Sequence, residues 1–327
     1  MQMRTECFFA VLAATTAGLL GFLADAAAQL YPSKPIRVII PAAPGSNNDI
    51  FFRTVAPSMG AALGQQLIAD YRPGGGGLVG AALTVKSPAD GYTIGMVASG
   101  FVMHPSMIKN LPYDSTRDFT PLGLIVDVPT ALVVHPSLPV TNVKDLIALA
   151  RARPGQLNYG SSGQGTNTHL AGVLFNLLGK VKLVHVPYKS SAPAIIDLIA
   201  GHIELSFTSI PGVISHARGG RLRMLAQTGK VRSATVPDVP TMQEAGLPGF
   251  YVNTGFGFAG PGGMPKPAVE RLNSALAKAV REPANRESLL DQGADPVGGT
   301  PEEHDAFIKS EVARWRKVTK EAGITPE

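Results

Sequence analysis

Short runs of β-branched and other apolar residues recur along this chain between polar, turn-forming segments. The runs at residues 36–40, 92–97 and 131–134 have the composition and length of buried strands. The first ends at Pro41, after which a polar loop leads into the next apolar repeat. These runs predict strands of a sheet that is covered on both faces.

Between the strands, apolar residues repeat at helical spacing. The repeats fall at Val143, Leu146, Ile147 and Ala150, at Leu170, Val173, Leu174, Leu177 and Leu178, at Val269, Leu272, Leu276 and Val280, and at Ile308, Val312 and Trp315. The first follows a cap at Thr141 or Asn142, and the second stops at Gly179. Alternating strands and helices predict an α/β fold with largely parallel sheets.

The domain organisation follows from the length and from what the chain lacks. Its 327 residues are enough for two domains, but no repeat and no long Gly/Ser linker separates independent modules. We therefore expect two domains with the chain crossing between them more than once.

Composition argues against disorder and against a nucleic-acid partner. The chain is 45% hydrophobic and 16% charged, whereas disordered chains combine low hydrophobicity with high net charge. The 36 glycines and 27 prolines predict many tight turns. The net charge of +5 comes without a run of five Lys or Arg residues, so no nucleic acid is expected, and the charge is compatible with an anionic ligand.

Cysteine and histidine usage gives no indication of a metal or other cofactor. The single Cys7 excludes an internal disulfide and a four-thiolate zinc site. The seven histidines show no close ligand spacing; His169 suits a cap or a ligand contact, and His185 a satisfied core or edge position. No Ser/His/Asp or paired-carboxylate pattern can be isolated, so the sequence indicates a binding site more readily than a catalytic one.

The N-terminus has the pattern of an export signal. Arg4 provides a positive start, residues 7–24 are uncharged, and residues 26–28 are three alanines of the kind that signal peptidase cleaves. Cleavage after Ala28 would leave a mature chain without cysteine. The alternative is an uncleaved membrane anchor, because the apolar stretch approaches the length that spans a bilayer.

The loop at residues 41–49 lies between a predicted strand and a predicted helix. In α/β sheets such loops lie at the carboxyl ends of strands, where ligands bind, and free N–H groups at the helix start attract anions. Asn48 or Asp49 could instead serve as an ordinary N-cap. Both roles are compatible.

A second loop, at residues 159–169, runs into the helix that begins near Leu170. It has three glycines and several hydroxyls, but no Lys-Ser/Thr as in a P-loop and no third glycine as in a dinucleotide site. It also lacks the final glycine of a nucleophile elbow. These features leave an oxyanion-binding helix start, best suited to a carboxylate. The glycine run at residues 72–77 is interpreted as a turn whose backbone could lie near the same cleft.

Several short motifs, taken in series, resemble one family. The motifs are YPSKPIR at 31–37, the Pro44-Gly45 loop ending at Asp49, Arg72-Pro73-Gly74, DGYT at 90–93, NYGSSG at 158–163, HLAG at 169–172, HVPYK at 185–189, PDVPT at 237–241 and Glu244-Ala245-Gly246. Their order and spacing are similar to those of the substrate-binding receptors of tripartite tricarboxylate transporters, the Bug proteins. The resemblance covers about residues 30–327.

The resemblance implies a two-domain, type II-like periplasmic binding protein with mixed sheets and a ligand cleft between the domains. Beyond the predicted signal peptide at 1–28, it places domain 1 at 29–130 and 246–327, and domain 2 at 131–245. It further implies a monomeric, non-enzymatic receptor that binds a di- or tricarboxylate, an acidic amino acid or an aromatic acid. The ligand would be passed to a membrane permease of the tripartite type.

The resemblance also implies which residues flank the ligand. They are Ala43, Gly45, Ser46, Asn47, Asp49, Ser99, Gly100, Ser161, Ser162, Gly163, Thr166, His169, Tyr188 and Thr208. The first loop would contribute backbone groups and bound water, and the loop from Ser161 to His169 would grip a carboxylate. Ser46, Asn47 and Ser190 depart from the usual pattern, so the ligand's identity cannot be copied from a relative. A sensor that docks on a signalling protein, and a hydrolase using Ser162 and His169, remain alternatives.

Overall fold

The computed structural model describes residues 31–326, so the predicted signal peptide at residues 1–28 lies outside the described residues. The strands are β1 Ile36–Ile40, β2 Leu67–Tyr71, β3 Thr93–Val97, β4 Phe119–Val134, β5 Asn158–Ser161, β6 Val184–Pro187, β7 Leu205–Ser209, β8 Arg223–Gln227, β9 Asn253–Pro261 and β10 Asp295–Pro296. The α-helices are α1 Asn47–Leu63, α2 Leu78–Val85, α3 Ser99–Met107, α4 Val143–Ala152, α5 Asn167–Gly179, α6 Ser191–Ala200, α7 Ile210–Arg218, α8 Lys266–Arg281, α9 Pro283–Asp291 and α10 Pro301–Glu321.

The first half of the molecule, β1–β3 with α1–α3, is built around β1. This strand pairs in parallel with β2 on one side and with β3 on the other. The other edge of β3 pairs antiparallel with β9. Ile36, Val38 and Ile40 are buried in one cluster with Phe51 of α1 and Leu276 of α8. The β-branched run at residues 36–40 therefore forms a strand, as predicted, and helices cover it.

The second half, β5–β8 with α4–α7, repeats this arrangement on a smaller scale. Its central strand β5 pairs in parallel with β6 and β7. The apolar face predicted for α4 is buried at Val143, Leu146 and Ala150. Parallel pairing brings the carboxyl ends of β5, β6 and β7 to one edge of the sheet, as it does for β1 and β3 in the first half.

The two halves share a single ten-stranded sheet, and the expectation of largely parallel pairing is wrong for the strands that join them. Residues 119–129 of β4 pair antiparallel with β9, and residues 130–134 pair antiparallel with β7 and β8. The sheet is therefore mixed, as the family resemblance implied. One apolar cluster also extends through both halves, including Phe101, Leu132, Phe207 and Trp315.

Polar caps fix where the key helices begin. Ser46, rather than Asn48 or Asp49, is the N-cap of α1, because its hydroxyl accepts a hydrogen bond from the Asp49 N–H. Thr166 caps α5 in the same way, through the His169 N–H. Asn142 caps α4, which decides between the two caps that the sequence allowed.

Candidate functional site

Two adjoining cavities lie at the carboxyl ends of the central strands. The first, about 460 Å³, is bounded by the loop after β1, the glycine turn at Gly74–Gly77 and the start of α3; we call it the cradle cavity. The second, about 330 Å³, lies between the start of α3 and the loop before α5; we call it the cleft cavity. They share Gly76, Ser99 and Gly100, so they adjoin each other at the start of α3.

A larger surface groove lies elsewhere, between α1 and α8. It encloses about 1220 Å³ and is lined by residues such as Ser58, Ala61 and Lys278. None of the residues predicted to flank a ligand lines this groove. The largest of these spaces is therefore not at the strand ends, where ligands bind in α/β sheets.

Asp49 organises the loop after β1. Its carboxylate is 3% exposed and accepts hydrogen bonds from the Gly45 N–H (2.8 Å), the Tyr71 hydroxyl (2.6 Å) and the Arg53 guanidinium (2.8 Å). Burial acts to raise the pKa of Asp49, but these hydrogen bonds outweigh it and hold that pKa below its usual range. Both Asp49 carboxylate oxygens therefore bond to other parts of the protein. Asp49 fixes the position of the loop and leaves ligand contact to other residues.

Asn47 and Asn48, the first two residues of α1, line the cradle cavity. The Asn48 Oδ1 atom is buried and has no hydrogen-bond partner among the described residues. This oxygen is an acceptor with almost no exposed surface, so it is an unsatisfied polar group beside the cavity and cannot itself donate to a carboxylate. Sequence reasoning considered Asn48 only as a helix cap.

The start of α3 forms the boundary between the two cavities. Ala98 provides no side-chain cap, and the N–H groups of Ser99 and Gly100 lie in the first turn, where helices have no internal acceptor for them. Gly100 must be glycine, because a Cβ atom there would lie 2.2 Å from the Gly76 carbonyl oxygen. The glycine run at residues 72–77 is thus both a turn and part of the cavity wall, as its two interpretations allowed.

Hydroxyl groups hold the loop before α5 in shape. The Thr168 hydroxyl oxygen accepts from the Ser162 N–H (2.9 Å) and lies 2.9 Å from the Ser162 hydroxyl. The Thr166 hydroxyl donates to the Gly163 carbonyl (2.7 Å) while capping α5. Gln164, Gly165 and Thr166 then face the cleft cavity. Most hydroxyls of this loop are therefore used to build it.

Two stacked imidazole rings pack against the loop before α5. The rings of His169 and His185 lie 4.1 Å apart between centroids, and the Ser161 hydroxyl lies 2.6 Å from His185 Nε2. His169 Nδ1 accepts from the Gly165 N–H (3.1 Å), and burial together with the His185 charge lowers the pKa of His169 to about 4. His185 lies on β6, the edge strand of the sheet, and its Nε2 atom is paired with the Ser161 hydroxyl. The predicted edge position is therefore confirmed. Within residues 31–326, Ser162 makes no hydrogen bond to His169, so the pair needed for a hydrolase is not formed.

Tyr188 and Thr208 lie further from the two cavities. The Tyr188 hydroxyl donates to the Asp197 carboxylate (2.7 Å), and burial with this contact raises the pKa of Tyr188 to about 12. Thr208 is 1% exposed, and its hydroxyl finds no partner in the described part of the chain. Neither side chain lines the cradle or the cleft cavity.

The predicted residues therefore divide into two groups. Those that line the cavities are Asn47, Ser99, Gly100 and Thr166. Those that build or surround the lining are Ala43, Gly45, Ser46, Asp49, Ser161, Ser162, Gly163, His169, Tyr188 and Thr208. Lining residues that sequence reasoning did not name as site residues include Asn48, His104 and Gln164. His104 follows Gly100 by four residues, one helical turn, and that spacing was the available signal.

Neither a metal cluster nor a membrane-spanning helix is found in the described chain. Over residues 31–326 no three His, Cys, Asp or Glu side chains converge as metal ligands would. No helix within the same range is long and apolar enough to cross a bilayer.

Comparison with known proteins agrees with this geometry. The family model described as "Tripartite tricarboxylate transporter family receptor" matches residues 51–324. A protein encoded in the tcbD-tcbE intergenic region of Pseudomonas sp. strain P51 is 38% identical over 292 residues, covering 89% of this chain and 87% of the relative. Protein BugT of Bordetella pertussis is 35% identical over 305 residues, covering 93% and 94%.

Solved structures with bound carboxylic acids share the fold. Rpa4515 of R. palustris with adipate is 36% identical, with a TM-score of 0.78 over 91% of this chain and 100% of that one. MatC of Rhodopseudomonas palustris with bound malate is 28% identical, with a TM-score of 0.74 over 88% and 99%. With the family model and the Bug relatives matching nearly its whole described length, this chain belongs to the tripartite tricarboxylate transporter receptor family.

Proposed function

We propose that this protein is a periplasmic receptor that captures a small organic carboxylate between its two halves and presents it to a tripartite membrane permease. The ligand would contact the cradle cavity on one side and the loop before α5 on the other. It would thereby stabilise the state in which the halves are closed. The receptor would act as a monomer and without chemical conversion of the ligand.

The observation that carries this proposal is the kind of polar group around the two cavities. No Asp, Glu, Lys or Arg side chain lines either cavity in the described chain. The lining instead includes the uncapped helix start at Ser99 and Gly100, with its free N–H groups, and the amide-bearing residues Asn47, Asn48 and Gln164. Such neutral donors bind a carboxylate by hydrogen bonding and helix-dipole attraction, and they place no acidic group against it.

The relatives supply independent support for the ligand class. Rpa4515 was solved with adipate and MatC with malate, two acids that differ in length and in hydroxylation. The identities of 36% and 28% leave room for a different acid here. We therefore propose the class, organic carboxylates, and leave the individual acid to experiment.

A thermal-shift screen of the mature protein tests the proposal. Adipate, malate, acidic amino acids and aromatic acids would be compared with matched neutral analogues, such as 1,6-hexanediol for adipate. A ligand at a hundredfold excess over its Kd stabilises the native state by about 2.7 kcal/mol, so a true ligand raises the melting temperature. A flat response to all acids, or equal responses to acids and neutral analogues, contradicts the proposal.

Closure and delivery require separate measurements. Small-angle X-ray scattering of the receptor with and without its acid should show a smaller radius of gyration in the complex. Uptake of that labelled acid should fall when the receptor gene is deleted and recover when the receptor is supplied again. Binding and closure with unchanged uptake would favour a sensing role over transport.

A further inference from the structure

His104 lies at the back of the cleft cavity with one ring nitrogen facing the space. The residue is on α3 and is 8% exposed. Its Nδ1 atom lies 2.9 Å from the Tyr113 hydroxyl. Its Nε2 atom approaches the two glycines shared by both cavities: it lies 3.0 Å from the position of a Cβ atom at Gly100 and 3.4 Å from one at Gly76. Glycine at these positions places no side chain against Nε2.

The Nε2 atom has no hydrogen-bond partner among residues 31–326, whereas the Nδ1 atom is paired with the Tyr113 hydroxyl. The opposite wall of the cleft cavity offers Gln164, Gly165 and Thr166. The Thr166 hydroxyl is already used, since it donates to Gly163 and accepts from the His169 N–H. His104 is therefore the ionisable side chain through which this cavity can make a directional contact.

The protonation state of the ring follows from its surroundings. Burial lowers the pKa of His104 to about 4, so the ring is neutral near pH 7 and carries one proton. Burial also raises the pKa of the Tyr113 hydroxyl, which keeps its proton. Within the described chain, His104 Nδ1 is the acceptor that this buried hydroxyl reaches. A proton on Nδ1 would leave the phenol without an acceptor, so the proton lies on Nε2.

We infer that His104 is a specificity-determining residue whose Nε2–H donates to an acceptor oxygen on the far end of the ligand. The ligand's first carboxylate lies at the α3 start and the cradle cavity, and its second acceptor reaches the cleft cavity. Acids with a second carboxylate or hydroxyl oxygen there bind more tightly than acids of equal length ending in a methyl group. This inference rests on the proposed carboxylate-binding function and specifies the kind of acid.

Calorimetric titration with matched acid pairs tests the inference. The pairs are succinate and butyrate, adipate and hexanoate, and suberate and octanoate, with 6-hydroxyhexanoate separating a hydroxyl from a carboxylate acceptor. We expect at least one diacid to bind the wild type tenfold or more tightly than its monoacid. If monoacids bind and no diacid is preferred, the proposed function stands and this inference fails. If no acid binds, both fail.

Substitutions of His104 test whether its Nε2–H group causes the preference for diacids. His104→Leu should reduce diacid affinity by roughly tenfold to a hundredfold while monoacid affinity stays the same, because a hydrogen bond to a charged acceptor is lost. His104→Gln keeps an N–H donor and should recover part of the preference. His135→Leu removes a histidine whose Nδ1 contacts only Ser137, outside both cavities, and serves as the matched control. Equal loss of both affinities in His104→Leu, or no loss, overturns the inference.

A spectroscopic measurement separates ligand contact from structural support. Nitrogen-15 NMR of the histidine rings should show His104 protonated on Nε2, and that resonance should shift when the diacid is added. Tyr113→Phe removes the hydroxyl that orients the ring without changing the cavity lining. It should weaken the diacid preference and give a mixture of the two ring tautomers. A His104 spectrum that does not respond to a tightly bound diacid excludes the contact.

Discussion

At the scale of single residues, the loops around the two cavities are shaped by side chains whose polar groups bond to neighbouring parts of the protein. Asp49 gathers three donors from the loop, from β2 and from α1, and so fixes the path of the backbone around Gly45. Thr166 does the same at the start of α5 with one hydroxyl. In both places, a polar residue that sequence motifs associate with binding serves by positioning its neighbours.

We expect Asp49→Asn to destabilise the protein by about 1–3 kcal/mol, because at least one buried donor loses its charged acceptor. Urea unfolding measures this change. Asp305→Asn is the matched control, since Asp305 pairs with Lys309 on the exposed face of α10, where such pairs contribute about 0.5 kcal/mol or less. Equal effects of the two substitutions would contradict the structural role of Asp49.

Thr166→Ala should cost about 1 kcal/mol of stability through loss of the α5 cap, and it should also weaken carboxylate binding. Thr166→Ser keeps the hydroxyl and should behave like the wild type in both respects. Chemical denaturation and calorimetry on the same samples give the two quantities. Wild-type affinity in Thr166→Ala would remove this loop from the binding site.

At the scale of elements, the close approach of α3 to the glycine turn defines the site. The Gly100 backbone lies against the Gly76 carbonyl oxygen, so no side chain fits between the helix start and the turn. Because Ser99, Gly100 and Gly76 line both cavities, a small displacement here changes the whole ligand space.

We expect Gly100→Ala to weaken acid binding by tenfold or more, because its Cβ atom would force the turn away from the helix. Gly179→Ala is the matched control. Gly179 is the last residue of α5, and a Cβ atom there would lie 3.5 Å from its nearest neighbour, an ordinary contact distance. Calorimetry with the acid found in the screen measures both. The same affinity in the two variants would show that the contact is not needed.

The sequence predicted elements with a local signal and missed features that depend on distant partners. The run at residues 36–40 and the repeat from Val143 to Ala150 identified β1 and α4, and Asn142 was one of two expected caps. Antiparallel pairing of β4 with β9 was missed because the strands lie more than a hundred residues apart in the chain. Asn48 and His104 were missed for the same reason, since tertiary packing decides which side chains remain unpaired.

At the scale of the whole molecule, buried neutral histidines couple stability to pH. His304 is 2% exposed under β4, where its Nδ1 accepts from the Gly123 N–H (3.2 Å). Burial lowers the pKa of His304 to about 3, against about 6.5 in an unfolded chain. Between these values the unfolded chain binds a proton that the native chain does not. The free energy of unfolding therefore falls as pH falls below about 6.5.

His304→Gln should flatten this pH dependence by up to about 1.4 kcal/mol per pH unit, since Gln does not titrate and can still accept from Gly123. Urea unfolding of the wild type and the variant from pH 4.5 to 7 gives the two slopes. Their difference is the relevant quantity, because burial raises the pKa of Asp127 and of Asp295, and those groups act in the opposite direction. Parallel slopes would contradict the assignment.

The shared strands also set the order in which the chain can fold. β3 and the first part of β4 have β9 as their partner, so the sheet of the first half stays open until residues 253–261 are available. The end of β4 is held by β7 and β8, which are made earlier. Contacts between distant segments slow folding, because the entropy of closing the loop is lost before the contacts form. A nascent chain ending before β9 therefore has unpaired edges on β3 and on the first part of β4, and we expect the sheet of the first half to be completed only after β9 has been made.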